Sequence, residues 1–180
     1  MRRFKISLLA LSIVSLVACG GEGTNDSTSE EGTETEASTD AVDTYEQMVE
    51  LDLTDYDIEA KMYVPDESKG KAELNATDWG SVTINVGKGY GIELVPFGLT
   101  VEEKKGELEG DLVYDIEYLE ETETAIFYTK TIKEGDMEPE FHFFANAEIN
   151  GDVVEIKNVE DRLFKKGAVE LMMKSARSLK

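Results

Sequence analysis

Cysteine is nearly absent from this 180-residue chain, and Cys19 is the only one. No intramolecular disulfide can form. The stretch from Thr44 to Lys180 offers no thiol for a metal site or a cysteine nucleophile. A domain without disulfides must be stabilised by its core, and this length suits one ordinary domain better than two. Histidine is equally scarce. His142 is the only one, so no other side chain has an ordinary pKa near neutrality. It sits between aromatic residues with no serine or second histidine close by in sequence. Gly-x-Ser-x-Gly is missing, and Ser68, Ser81, Ser175 and Ser178 show no partner pattern. No apolar run reaches the roughly twenty residues that a spanning helix requires.

Basic residues are outnumbered, 18 Lys and Arg against 39 Asp and Glu, for a net charge of −21. A field of that sign repels nucleic acids and anionic lipid head groups, which argues against nucleic-acid binding. Two readings of the charge remain. One is solubility through mutual repulsion; the other is a docking surface for a cationic partner.

The N-terminus has a recognisable form. Arg2, Arg3 and Lys5 precede an apolar run from Ile6 to Val17, and small residues follow. This is the pattern of a secretory signal over residues 1–18. The sequence Leu16-Val17-Ala18-Cys19 resembles the lipobox of bacterial lipoproteins. The resemblance implies cleavage before Cys19, lipidation of Cys19, and a mature protein held on a membrane by its acyl chains. Gly20 follows the cysteine in place of the aspartate that retains some Gram-negative lipoproteins at the inner membrane. The outer membrane or cell surface is therefore the implied address. Residues 19–43 carry eight acids, no base and almost nothing apolar, so they read as a lipidated cysteine followed by a disordered tether. The tether's root-mean-square span would be about 27 Å. Acidic residues after the cysteine also act as a surface-export signal in some bacterial lipoproteins. Residues 44–180 remain as a single domain.

Within that domain, period-2 alternation predicts strands. Tyr56, Ile58, Ala60, Met62 and Val64 form one face of a first run. Val82, Ile84 and Val86 form a second, joined by Gly87-Lys88-Gly89 to Tyr90, Ile92 and Leu94. Tyr114, Ile116 and Tyr118 alternate next. The runs 125–132 and 140–149 are apolar on both faces, and Asn150-Gly151 closes the latter onto Val153–Lys157 as a hairpin. Thr100-Val101-Glu102-Glu103 forms a capping box that opens a short helix to about Leu108. A C-terminal helix over Leu163–Leu179 places Ala168, Leu171, Met172, Ser175 and Leu179 on one stripe. Tyr45–Leu51 reads as a further helical turn.

Strand 140–149 constrains the architecture. Phe141, Phe143, Ala145, Ala147 and Ile149 share one face, while His142 and Phe144 occupy the other. A one-sided sheet would leave Phe144 in water. The expected fold is therefore α+β, an antiparallel sheet in an α-β-α sandwich, with the short helix on one side and the C-terminal helix on the other. A closed antiparallel barrel with a flanking C-terminal helix is the alternative. Over residues 80–180 the order hairpin, helix, long strands, hairpin, helix is similar to the PsbP/Mog1-like fold. That likeness implies an accessory or binding module.

Candidate chemistry is sparse. His142 reads as a structural histidine within a strand, the competing reading being a base or ligand that would need a carboxylate nearby. Asp55, Asp57 and Glu59 share a strand face, as do Asp136, Glu138 and Glu140 if that stretch is extended. Neighbours on such a face lie about 6.6 Å apart, too far to clamp one calcium ion. The EF-hand glycine is replaced by Ala60. Gly87-Lys88-Gly89-Tyr90-Gly91 precedes a strand, so it is a hairpin and not a phosphate loop. Trp79, Tyr90, Tyr114, Tyr118, Phe127, Tyr128, Phe141 and Phe143 read as core. The function expected is a lipid-anchored cell-envelope protein with a non-enzymatic binding or accessory domain, contacting the membrane through Cys19 and an envelope partner. No catalytic or metal-binding residue and no cofactor are assigned, and Cys19 is the one modification site. The competing classes are an envelope hydrolase using carboxylates and His142, and a calcium-dependent surface or adhesion protein.

Overall fold

The computed structural model describes residues 45–180. The signal segment, Cys19 and the acidic tether lie outside the described residues. Two sheets form. Strands β1 (Met48–Asp52) and β2 (Lys61–Pro65) make an antiparallel pair. The large sheet contains β3 (Ala72–Ala76), β4 (Val82–Val86), β5 (Tyr90–Pro96), β6 (Tyr114–Glu121), β7 (Ala125–Ile132), β8 (Glu140–Ile149) and β9 (Asp152–Asn158). Its order is β3-β4-β5-β9-β8-β7-β6, antiparallel throughout. After β5 the chain crosses through helix α1 (Val101–Glu109) to the far edge. Successive hairpins then return it to the centre, where β9 fits between β8 and β5. Helix α2 (Lys166–Arg177) ends the fold.

Local chemistry sets the connections. Asn150 and Gly151 both take positive φ, 54° and 91°, between the paired residues Ile149 and Asp152. This left-handed pair matches the twist of the flanking strands. The Glu103 N–H donates to Thr100 Oγ1 and the Thr100 N–H donates to Glu103 Oε2, completing the capping box of α1.

Alternation along β8 feeds two separate cores. Phe143 and Ala145 join Ile84, Ile92, Leu94, Ile156, Val169 and Met172 beneath α2, and Met62 and Val64 of the small sheet join the same cluster. Phe144 faces the other way, with Val101, Leu108, Ile126 and Tyr128 beneath α1. The helices thus cover opposite faces, as the burial of Phe144 required. The chain end is fastened to β2. Lys61 and Lys180 exchange backbone hydrogen bonds of 2.9 and 3.0 Å, and the Tyr63 N–H donates to Ser178 Oγ at 2.7 Å.

Four expectations are corrected. The large sheet is open, with β3 and β6 as its edges, and so is not a barrel. Tyr45–Leu51 is a turn leading into β1, because its backbone groups find a partner strand in β2. The run beginning at Tyr56 is interrupted. Thr54–Tyr56 is a 3-10 turn whose Thr54 N–H donates to Asp52 Oδ1 at 3.0 Å, and Asp57 is left-handed at φ 60°. Helix α2 is shorter than its pattern implied, and its buried face is Val169, Met172, Met173, Ser175 and Ala176. Ala168, Leu171 and Leu179 lie partly exposed at its rim. Strand β3, which the sequence did not reveal, completes the edge beside β4.

Because Phe144 is the centre of the α1 cluster and fully buried, Phe144→Ala should destabilise the protein by about 3–5 kcal/mol. Urea unfolding measures this. A loss below 1 kcal/mol would show that α1 does not seal that face.

Candidate functional site

At the end of the sheet where β3 meets β4 and β5 stops, two adjoining clefts open. The larger, about 510 Å³, is lined by Asp55, Tyr56, Asp57, Trp79 and Phe97 among others. The smaller, about 240 Å³, shares Asp57, Pro96 and Phe97 and adds Glu59, Asn150 and Asp152. No Lys, Arg or His lines either cleft. Trp79 is 82% exposed and Phe97 78% exposed. Large aromatic side chains usually bury their surface, so two held in water beside a cleft make a candidate binding site.

Each aromatic is positioned by a constrained loop. Trp79 sits at the tip of the β3–β4 connection. The Thr77 N–H donates to the Ser81 carbonyl at 2.8 Å, and the Gly80 N–H, with φ 86°, donates to the Thr77 carbonyl at 3.0 Å. Ser81 Oγ donates to Glu93 Oε1 at 2.7 Å, fastening the base of this loop to β5. Phe97 follows β5 with a left-handed φ of 58°, a conformation bulky residues avoid. It is held from behind. The buried Glu155 of β9 accepts from the Leu99 N–H at 3.1 Å and pairs with Lys157 Nζ at 2.8 Å. Gly98 allows the loop this close, since a Cβ there would meet Glu155 Cβ at 2.4 Å.

The acidic wall comes from the 54–60 segment. Asp55 and Asp57 are exposed, and their side chains have no hydrogen bond or ion pair to any described residue. Glu59 accepts from Asn150 Nδ2 at 2.8 Å, tying this segment to the β8–β9 turn. Asp55, Asp57 and Glu59 do not share a strand face as expected, because the 3-10 turn and the left-handed Asp57 break the alternation. Asp136 and Glu138 lie in a loop, and only Glu140 belongs to a strand. Among the described residues no three or more His, Cys, Asp or Glu side chains come close enough to hold a metal ion.

Trp79 therefore overturns its assignment to the core. Tyr90, Phe127, Tyr128 and Phe143 are buried as expected. Phe97 lies in Pro96-Phe97-Gly98 at a strand end, where Pro and Gly mark a turn, and this is the one sequence signal for its place in the site.

His142 is far from playing a part in these clefts. It is buried in β8, stacked on Tyr128 at 5.6 Å between ring centres. Asn158 Oδ1 accepts from the Phe143 N–H at 3.0 Å, which turns its Nδ2 toward His142 Nδ1, 3.2 Å away. Nδ1 is then the acceptor, and the proton of the neutral ring sits on Nε2. Nε2 stands 3.5 Å from Glu140 Oε2 without hydrogen-bond geometry. His142 lines none of the five principal clefts.

Comparisons with protein-family models, with curated proteins and with solved structures find no match to this chain.

Burial holds the His142 pKa below its ordinary value, with Lys130 adding to the effect and Glu140 and Glu160 opposing it. The fold therefore favours the neutral ring, and the unfolded chain takes up the proton more readily. Stability from this site is complete above the unfolded value of about 6.5 and is lost progressively as pH falls from there through the lower folded value. The melting temperature should fall between pH 7.5 and 5.5, and fall less in His142→Gln. Equal slopes in the two proteins would contradict this.

Proposed function

We propose that this chain is a lipid-anchored binding protein of the bacterial cell envelope, non-enzymatic, whose domain takes a partner at the Trp79–Phe97 clefts. The observation that carries the reading is the pair of aromatics held in water by fastened loops above an acid-lined cleft. A recognition surface benefits from such rigid, amphipathic anchors, because little side-chain entropy is lost on binding. The lipobox-like Leu16-Val17-Ala18-Cys19 supports lipid anchoring, and Gly20 after it supports an address at the outer membrane or cell surface. The PsbP/Mog1-like order of elements supports an accessory or binding role by analogy of fold alone.

Three measurements test this. Cys19→Ser should move the protein from the membrane fraction to the soluble fraction; retention on the membrane would refute lipid anchoring. A photoreactive side chain at position 79 should crosslink one envelope component in intact cells, and Phe97→Ala should abolish the product. Turnover of ester, glycoside or peptide substrates by the pure protein, lost on changing His142 or the cleft acids, would replace binding with catalysis.

A further inference from the structure

We infer that the partner presents a basic polypeptide segment, whose Lys or Arg side chains lie against Trp79 and Phe97 and pair with Asp55, Asp57, Glu59 and Asp152. This inference rests on the binding reading above and specifies its ligand. Three observations converge. The clefts are lined by four carboxylates and by no basic residue. Their lining includes three aromatic side chains, Tyr56, Trp79 and Phe97, and aromatic faces attract ammonium and guanidinium groups. Finally, several bases of the described residues are paired with acids outside the cleft linings. Lys61 pairs with Glu50 and Asp52, Lys104 with Glu107, Lys105 with Glu121, Lys157 with Glu155, and Arg177 with Glu120.

Geometry favours a chain over a small cation. Phe97 and Asp57 are common to the two clefts, and each cleft has carboxylates of its own, Asp55 in one and Glu59 with Asp152 in the other. A ligand engaging both needs at least two positive groups spaced along a backbone. The aromatics are also too exposed to enclose a small molecule, whose sites bury most of its surface. A passing polypeptide needs only the open groove, and the complementary field speeds its approach.

The test uses the full-length protein in detergent and a fluorescent peptide of alternating Lys and Ser, followed by anisotropy. A peptide with every Lys acetylated serves as the neutral counterpart. We expect salt-sensitive binding of the basic peptide and at least tenfold weaker binding of the acetylated one. Asp55→Asn with Asp57→Asn should weaken binding at least tenfold, as should Trp79→Ala with Phe97→Ala. All four residues are partly or fully outside the core, and an unchanged melting temperature verifies that each variant folds. The acids of residues 20–43 would attract any polycation, so Glu34→Gln with Glu36→Gln is the control and should leave the affinity unchanged. The inference is overturned if the cleft variants bind as wild type does, if the control weakens binding equally, or if the acetylated peptide binds as well. It is also overturned if free lysine or a diamine competes as strongly as the peptide. Crosslinking at position 79 that persists alongside such a result would keep the binding reading and remove only the basic segment.

Discussion

Antiparallel pairing of β8 with β9 and β7 is the constraint on which the rest of the structure depends. A strand places successive side chains on opposite faces, so Phe143 and Phe144 cannot share a core. One enters the cluster under α2 and the other the cluster under α1. Each cluster then requires a cover, and this explains why the chain leaves β5 for a helix before it builds β6. Hairpins alone would leave Ile126, Tyr128 and Phe144 in water. The α1 connection also delivers the chain to the far edge, which reserves the central place beside β5 for β9.

The central strand β9 also transmits order to the clefts. Its Glu155 is buried, and a buried carboxylate is costly without partners. It finds two, the Lys157 ammonium and the Leu99 N–H. The second contact holds the loop after β5 against the sheet at Gly98. The loop that displays Phe97 is thus fastened by a polar requirement in the sheet. Trp79 follows the same logic through Ser81 and Glu93. Both aromatics are displayed by loops whose bases are hydrogen-bonded to the large sheet, and such loops keep their shape in the absence of a partner.

How much of this the sequence reveals depends on how local the cause is. The Asn150-Gly151 turn and the Thr100 capping box are decided by neighbours within four residues, and both lie where their motifs placed them. The two-sided sheet followed from a single residue, Phe144, because alternation admits only one inference. Strand β3 escaped notice because Ala, Glu, Leu and Asn have weak strand preferences, and pairing with β4 decides its conformation. The strand conformation of β1 is likewise decided by pairing, with β2 across the 53–60 segment. The clefts were hidden more deeply. Apparent alternation from Tyr56 conceals the 3-10 turn, whose Thr54 N–H donates to Asp52, and the loop of Phe97 is fastened at Leu99 by a carboxylate on a strand much later in the chain.

The distribution of charge follows from these same contacts. Surface ion pairs each add at most about 1 kcal/mol, so the stability of the fold does not require every acid to be paired. The pairs that form lie along β1 and β2, around α1, within β9 and on α2. Asp55 and Asp57 take no part in them. The 3-10 turn and the left-handed Asp57 break the strand alternation at these two residues. Their neighbour Glu59 is already engaged by the amide of Asn150. Like charges held together raise the potential of the groove, and the aromatic faces beside them add attraction for a cation without neutralising it. The interrupted strand at Tyr56 therefore leaves two unpaired carboxylates, Asp55 and Asp57, in a cleft lined also by Trp79 and Phe97.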